Sequence, residues 1–136
     1  MHTINLTAAW DRLDLPGGET IWARRFGRPT GIDPPLEAWL VAEPALLSRF
    51  WLNGGRLTEG NWAEVATGVR VTGRLAIRNL LLLLPTGLPA AAVPAISREL
   101  NSGNPVTTRS ALPADLGRVM LTVTAGGLDS LLPNRR

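Results

Sequence analysis

At 136 residues, 45% of them hydrophobic, the chain is long enough to bury one real core and too apolar for wholesale disorder. It has no cysteine, which excludes a disulfide framework, a thiolate zinc site and a cysteine nucleophile. Its 14 basic residues are all arginine and face 11 acids, so the net charge is only +3 and the basic character is mild.

The segment from His2 to Trp10 alternates, with Ile4, Leu6, Ala8 and Trp10 on one side and Thr3, Asn5 and Thr7 on the other. That period of two predicts a half-buried strand. Pro16-Gly17-Gly18 is a turn, Thr20 to Arg28 the next strand, and Asp33-Pro34-Pro35 a second turn. Leu36 to Ala42 and Leu47 to Leu52 follow as strands around Pro44, and Asn53-Gly54-Gly55 is a strong hairpin signal. Trp62 to Val71 predicts one short strand, with Val71 to Leu75 forming a turn.

Ala76 to Leu84 contains five consecutive leucines and has no polar face, so both sides of this strand must be covered. A buried helix is the alternative, because leucine favours helix; the bracketing by Gly73 and Pro85 argues for the strand. Residues 85–115 lose strand alternation and read as a long irregular connection, with a short helix over Pro94 to Asn101. Leu88, Val93, Ile96 and Leu100 in this stretch are expected to lie over the outer side of the leucine strand. Leu116 to Thr124 is the last strand, with Val119, Leu121 and Val123 inward, and residues 130–136 are a frayed tail. Many short strands with little helix predict an all-β, two-sheet β-sandwich over residues 1–129; the long late excursion favours a jelly roll over a simple meander.

Several stretches occur in a telling order: Trp22 to Thr30 (WARRFGRPT), Glu37 to Val41 (EAWLV), Phe50 to Gly54 (FWLNG), Val71 to Leu75 (VTGRL) and Arg78-Asn79-Leu80. Together they resemble the galactose-binding-like jelly-roll (sugar-binding) domain that precedes the barrel in β-galactosidases and β-glucuronidases. The likeness spans roughly residues 20–84, with Leu116 to Val123 matching the closing strand more weakly. The resemblance implies the jelly-roll fold. In that family the catalytic carboxylates stand on a separate barrel, for which this chain has no room. The implied role is therefore a stand-alone accessory domain, either structural or carbohydrate-binding, and not an enzyme.

The chemistry legible in the residues agrees. The only histidine is His2, so neither a serine triad nor a histidine metal site can be assembled, and no cofactor is expected. Glu59 and Glu64 flank Asn61 and Trp62, a pair that glycosidase chemistry could use but that solvated loop acids explain more simply. Sugar recognition asks for an exposed aromatic plane with polar groups beside it. Trp62 with Asn61 and Glu64 fits best, followed by Trp51 with Arg49, which share a side pointing away from Phe50 and Leu52. Trp10 and Trp39 are read as core. Arg24 falls on the side of Trp22 and Phe26, where it either sits at the sheet's rim or, the preferred expectation, pairs with a carboxylate such as Asp11, Asp14 or Glu37.

Charge and targeting signals bound the partners. Residues 1–68 hold six arginines and eight acids, residues 69–136 eight arginines and three acids, and all five tryptophans lie in the acidic half. A nucleic-acid face needs basic and aromatic residues together, so no nucleic-acid partner is expected. Met1 to Leu6 lacks the features of a secretory leader and the leucine run is too short to cross a bilayer, so the expected location is cytoplasmic, with no membrane partner. Carbohydrate, a second copy meeting through the leucine strand or its cover, and another protein are the partners considered.

Overall fold

The computed structural model describes residues 2–32, 35–57, 68–102 and 107–125. Among the described residues ten strands form two antiparallel sheets that make a β-sandwich. The smaller sheet has the order β1-β10-β4-β7, built from β1 (His2–Asn5), β4 (Glu37–Val41), β7 (Gly68–Arg70) and β10 (Met120–Thr124). The larger has the order β6-β5-β8-β3-β2-β9. Its strands are β2 (Trp10–Asp14), β3 (Thr20–Gly27), β5 (Phe50–Leu52), β6 (Gly55–Arg56), β8 (Arg78–Leu83) and β9 (Thr108–Ser110). Among the described residues two helices join them, α1 (Pro44–Leu47) and α2 (Val93–Ser102). Among the described residues no helix is long and apolar enough to cross a membrane.

Period-two burial sets which sheet face each residue takes. Leu81 and Leu83 of β8 join Trp10, Phe50, Leu40 and Leu121 in the core between the sheets. There the rings of Trp10 and Phe50 stack with centroids 6.2 Å apart. Leu82 and Leu84 point the other way, into a second cluster with Ile21, Ala23, Val93, Ile96 and Leu100. The leucine run is thus a strand, and it is buried on both faces as its lack of a polar side requires. α2 is the cover. Its residues 93, 96 and 100 fall on one stripe of a 3.6-residue helix and are all buried. Each fully buried aliphatic side chain of this kind contributes roughly 1.5–3 kcal/mol.

Four expectations are corrected. The first strand does not run from His2 to Trp10. The Asn5 side chain accepts from the Thr7 amide at 2.8 Å, an Asx turn, and Ala9 takes a left-handed φ of 64°. The chain there leaves the smaller sheet for the larger, and Ala8 is exposed. The buried Trp10 indole reaches back across the break to donate to the Leu6 carbonyl at 2.6 Å. Second, Leu47 belongs not to a strand but to α1, which Pro44 opens with its preset φ; the strand starts at Phe50. Third, beside the expected helix, present as α2, the described part of the stretch after Leu84 also holds 3-10 turns at Ala90–Ala92 and Ala114–Leu116 and the edge strand β9 beside β2. Fourth, the last strand begins at Met120, because Leu116 closes a 3-10 turn and Gly117 follows it with a φ of 81°.

Arg24 is also placed differently. It is half-buried, and among the described residues it forms no ion pair. Its guanidinium donates instead to the carbonyls of Ala8, at 2.9 Å, and Arg25. Burial, and then the nearby Arg109 charge, push its pKa below the ordinary value, while Asp11 acts weakly the other way. The Asp11 carboxylate is held by Arg25 at 3.1 Å and Arg109 at 2.9 Å.

Candidate functional site

The outer face of the larger sheet is only partly covered by α2, and a groove of about 790 Å³ opens beside the helix. Four segments build it. From β3 come Arg25, Phe26 and Gly27, and from β8 come Arg78, Asn79 and Leu80. The hairpin contributes Asn53 and Gly54, and α2 contributes Ser97 and Asn101.

Local sequence explains each wall. Ser97 and Asn101 are four residues apart and so lie one turn apart on α2, beside its buried stripe. The hairpin needs two consecutive left-handed residues, which Asn53 at φ 51° and Gly54 at φ 86° supply. It is fastened from beneath by the Arg74 guanidinium, which donates to the carbonyls of Leu57 at 2.6 Å and Arg56 at 2.7 Å. The Asn53 amide donates to Asn79 Oδ1 at 2.9 Å, and Asn53 Oδ1 accepts from the Leu80 amide at 2.9 Å. Asn79 is buried and completes the frame. Its Oδ1 accepts from the Ala76 amide at 2.8 Å, and its Nδ2 donates to the carbonyls of Ala76 and Phe26 at 3.0 and 3.3 Å. These two asparagines position the site and have their polar atoms occupied.

Two side chains supply charge. Arg25 bonds Asp11 and also donates to the Leu100 carbonyl at 2.9 Å, where a cation near the C-terminal end of α2 is favoured. Arg78 is exposed, and its guanidinium makes no hydrogen bond or ion pair with another described residue. The register pairs Arg25 with Leu80 and Gly27 with Arg78, so the two arginines are diagonal neighbours on one face. Gly27 keeps the groove open, since a Cβ there would meet only the Ile77 carbonyl oxygen, at 3.8 Å. Among the described lining residues there is no carboxylate.

A second, smaller hollow of about 230 Å³ lies on the same sheet. Trp51, Arg49 and Arg56 line it with the loop from Pro85 to Leu88. Trp51 is half-buried on the outer face and packs against the cluster under α2, and Arg49 Nε donates to the Leu84 carbonyl at 2.7 Å. The structure therefore brings Trp51 and Arg49 together, as their shared side predicts. Trp62, Asn61 and Glu64, with Glu59, lie outside the described residues.

Of the other tryptophans, Trp10 is core and Trp22 packs there with the Arg12 guanidinium 5.8 Å from its ring centre. Trp39 is buried but faces away from Ala38 and Leu40, beside Thr122 on the outer side of the smaller sheet, and its indole N–H has no hydrogen-bond partner among the described residues. Among the described residues no three metal-ligating side chains cluster.

Sequence reading missed Arg25, Arg78, Ser97 and Asn101 as groove residues. The available signal was weak: an Arg-Asn pair opening the leucine strand, and two polar residues at helical spacing next to an apolar stripe. Compared with known proteins, the chain matches no family model, no curated protein and no solved structure.

Proposed function

We propose that this chain is a non-catalytic β-sandwich module of the jelly-roll, galactose-binding-like kind, in an accessory role, and that it holds a small polar ligand in the groove beside α2. The observation that carries this reading is the groove itself. Its volume falls within the range of small-molecule sites, roughly 300–1,000 Å³. Its walls offer arginine, asparagine and serine donors on sheet and helix rather than on free loops, which suits recognition by prearranged hydrogen bonds. The jelly-roll assignment is supported by the repeated passage of the chain between sheets and by the pairing of the first strand with the last.

The test is a titration of the ¹⁵N-labelled chain with a panel of sugars and sugar acids, run in parallel on Gly27→Leu. Shifts are expected at the amides of Gly27, Gly54, Leu80 and Ser97, and they are expected to vanish in the variant. Binding that leaves these amides unmoved would overturn the assignment.

A second reading, carbohydrate binding through a tryptophan, is favoured by the hollow that joins Trp51 to Arg49 and Arg56. An indole face against sugar C–H groups with guanidinium donors at its edge is the chemistry required. A saturable change in tryptophan fluorescence with an oligosaccharide, lost in Trp51→Ala, supports it; retention in that variant removes it.

A further inference from the structure

We infer that the groove beside α2 takes an anionic ligand, a carboxylate or phosphate carried on a hydroxyl-bearing body, with Arg78 as the principal charge contact. This rests on the reading of the groove as a binding site and adds the ligand's chemical class.

Three observations converge. First, the described lining contains two arginines and no acid, so an entering anion meets no like charge. Second, the two arginines differ in what they have left to offer. Arg25 spends donors on Asp11 and on the Leu100 carbonyl, whereas the Arg78 guanidinium is open to solvent and has no described partner. Third, nearby charge is poorly balanced. Asp11 is the carboxylate that Arg25 uses, and it is shared with Arg109. Arg25 and Arg78 are diagonal neighbours on adjacent strands, a separation of about 7–8 Å between backbones. Placing two cations side by side is unfavourable, and a ligand oxyanion between them removes that repulsion while gaining charge-assisted hydrogen bonds.

The remaining walls describe the rest of the ligand. Ser97 and Asn101 present a hydroxyl and an amide from α2, groups that donate and accept and so suit hydroxyls. Leu80 is half-buried on the floor and Gly27 carries no side chain, leaving room for an apolar ring face there. Guanidinium selects carboxylate and phosphate oxygens by its planar fork, which a lysine at the same place would not do.

The experiment uses the full chain with four probes: glucose, glucuronate, glucose 6-phosphate and inorganic phosphate, each at millimolar concentration and low ionic strength. Calorimetry gives affinity and amide shifts give location, for the wild type, Arg78→Gln and Gly27→Leu. The Arg78 guanidinium is exposed and has no partner among the described residues, and a Cβ at Gly27 meets only ordinary contact, so both variants are expected to keep the wild-type melting temperature, which is measured alongside.

Glucuronate or glucose 6-phosphate should bind at least about tenfold more tightly than glucose, and Arg78→Gln should abolish most of that preference. If glucose binds as well as the acids and Arg78→Gln changes nothing, while Gly27→Leu removes binding, the anionic class is overturned and the groove stands as a site. If binding survives Gly27→Leu, or if no probe binds, the groove assignment itself falls and the inference with it. Inorganic phosphate binding as tightly as glucose 6-phosphate would mean the sugar body contributes nothing, and would overturn the hydroxyl-bearing half of the inference.

Discussion

Replacing Leu82 with alanine tests the two-faced burial of β8 directly. Leu82 points away from the inter-sheet core, yet it is only 1% exposed because α2 lies over it. The substitution removes three carbons' worth of apolar burial, at about 0.8 kcal/mol each, and adds a cavity term of about 24 cal/mol per Å³ left unfilled. With partial collapse of the helix onto the gap, the expected loss is about 3 kcal/mol. A urea titration followed by tryptophan fluorescence should show the midpoint falling by about 1.5 M if the slope is near 2 kcal/mol per molar. Leu81→Ala, on the inner face, is the internal standard and should cost a similar amount. Ile96→Ala on the helix should also destabilise, and the Leu82–Ile96 double variant should lose less than the two single losses together, because both side chains line one cluster. A Leu82→Ala midpoint within experimental error of the wild type, beside a large shift for Leu81→Ala, would refute the covering role of α2.

Two further outcomes follow from the polar frame and the surface. Asn79→Ala leaves the Ala76 amide and the Phe26 carbonyl without this partner at a buried position, and should cost about 2–3 kcal/mol in thermal or urea unfolding; an effect indistinguishable from the wild type would show that the network is incidental. The Asp14 carboxyl is held below its ordinary pKa, chiefly by the Thr20 hydroxyl at 2.9 Å and next by Arg12. A depressed carboxylate pKa gives stability that is present above the unfolded value and is lost as pH falls through the folded value, so the effect belongs to the acid limb below the ordinary carboxylate range. Thr20→Val should move the Asp14 titration upward when its carboxyl carbon is followed by NMR, and an unmoved titration would remove the hydroxyl as the cause.

The parts of the fold that were legible are those where one pattern has one physical meaning. A leucine run without a polar side demands two covers, and the apolar residues later in the chain at helical spacing supply the second. Asn53-Gly54 demands a tight hairpin, and one is present. The break at residues 6–9 was illegible because alternation carries no mark of which sheet a residue belongs to, and Leu6 and Trp10 are buried on either side of the crossing although Ala8 between them is exposed. The groove was illegible for a different reason. Residues from β3, the hairpin, β8 and α2 meet there only after the sheet has paired and the helix has docked. No local spacing joins Arg25 to Arg78 or either of them to Ser97.

Uniform leucine also removes a safeguard that most strands possess. Sliding an alternating strand by one position turns its apolar side chains to water, which forbids the slip. In β8 such a slip would bring leucine to where leucine already was, on either face, and the hydrophobic effect would barely notice. The phase of this strand is therefore fixed by its polar beginning, where Asn79 sits buried and bonded to Phe26, Ala76 and Asn53. Moving the chain by one residue would put either the Arg78 guanidinium or the Leu80 side chain in that buried seat, and neither can make the bonds of the amide. One amide side chain thus holds both the alignment of the sheet and the outward aim of the arginine beside it.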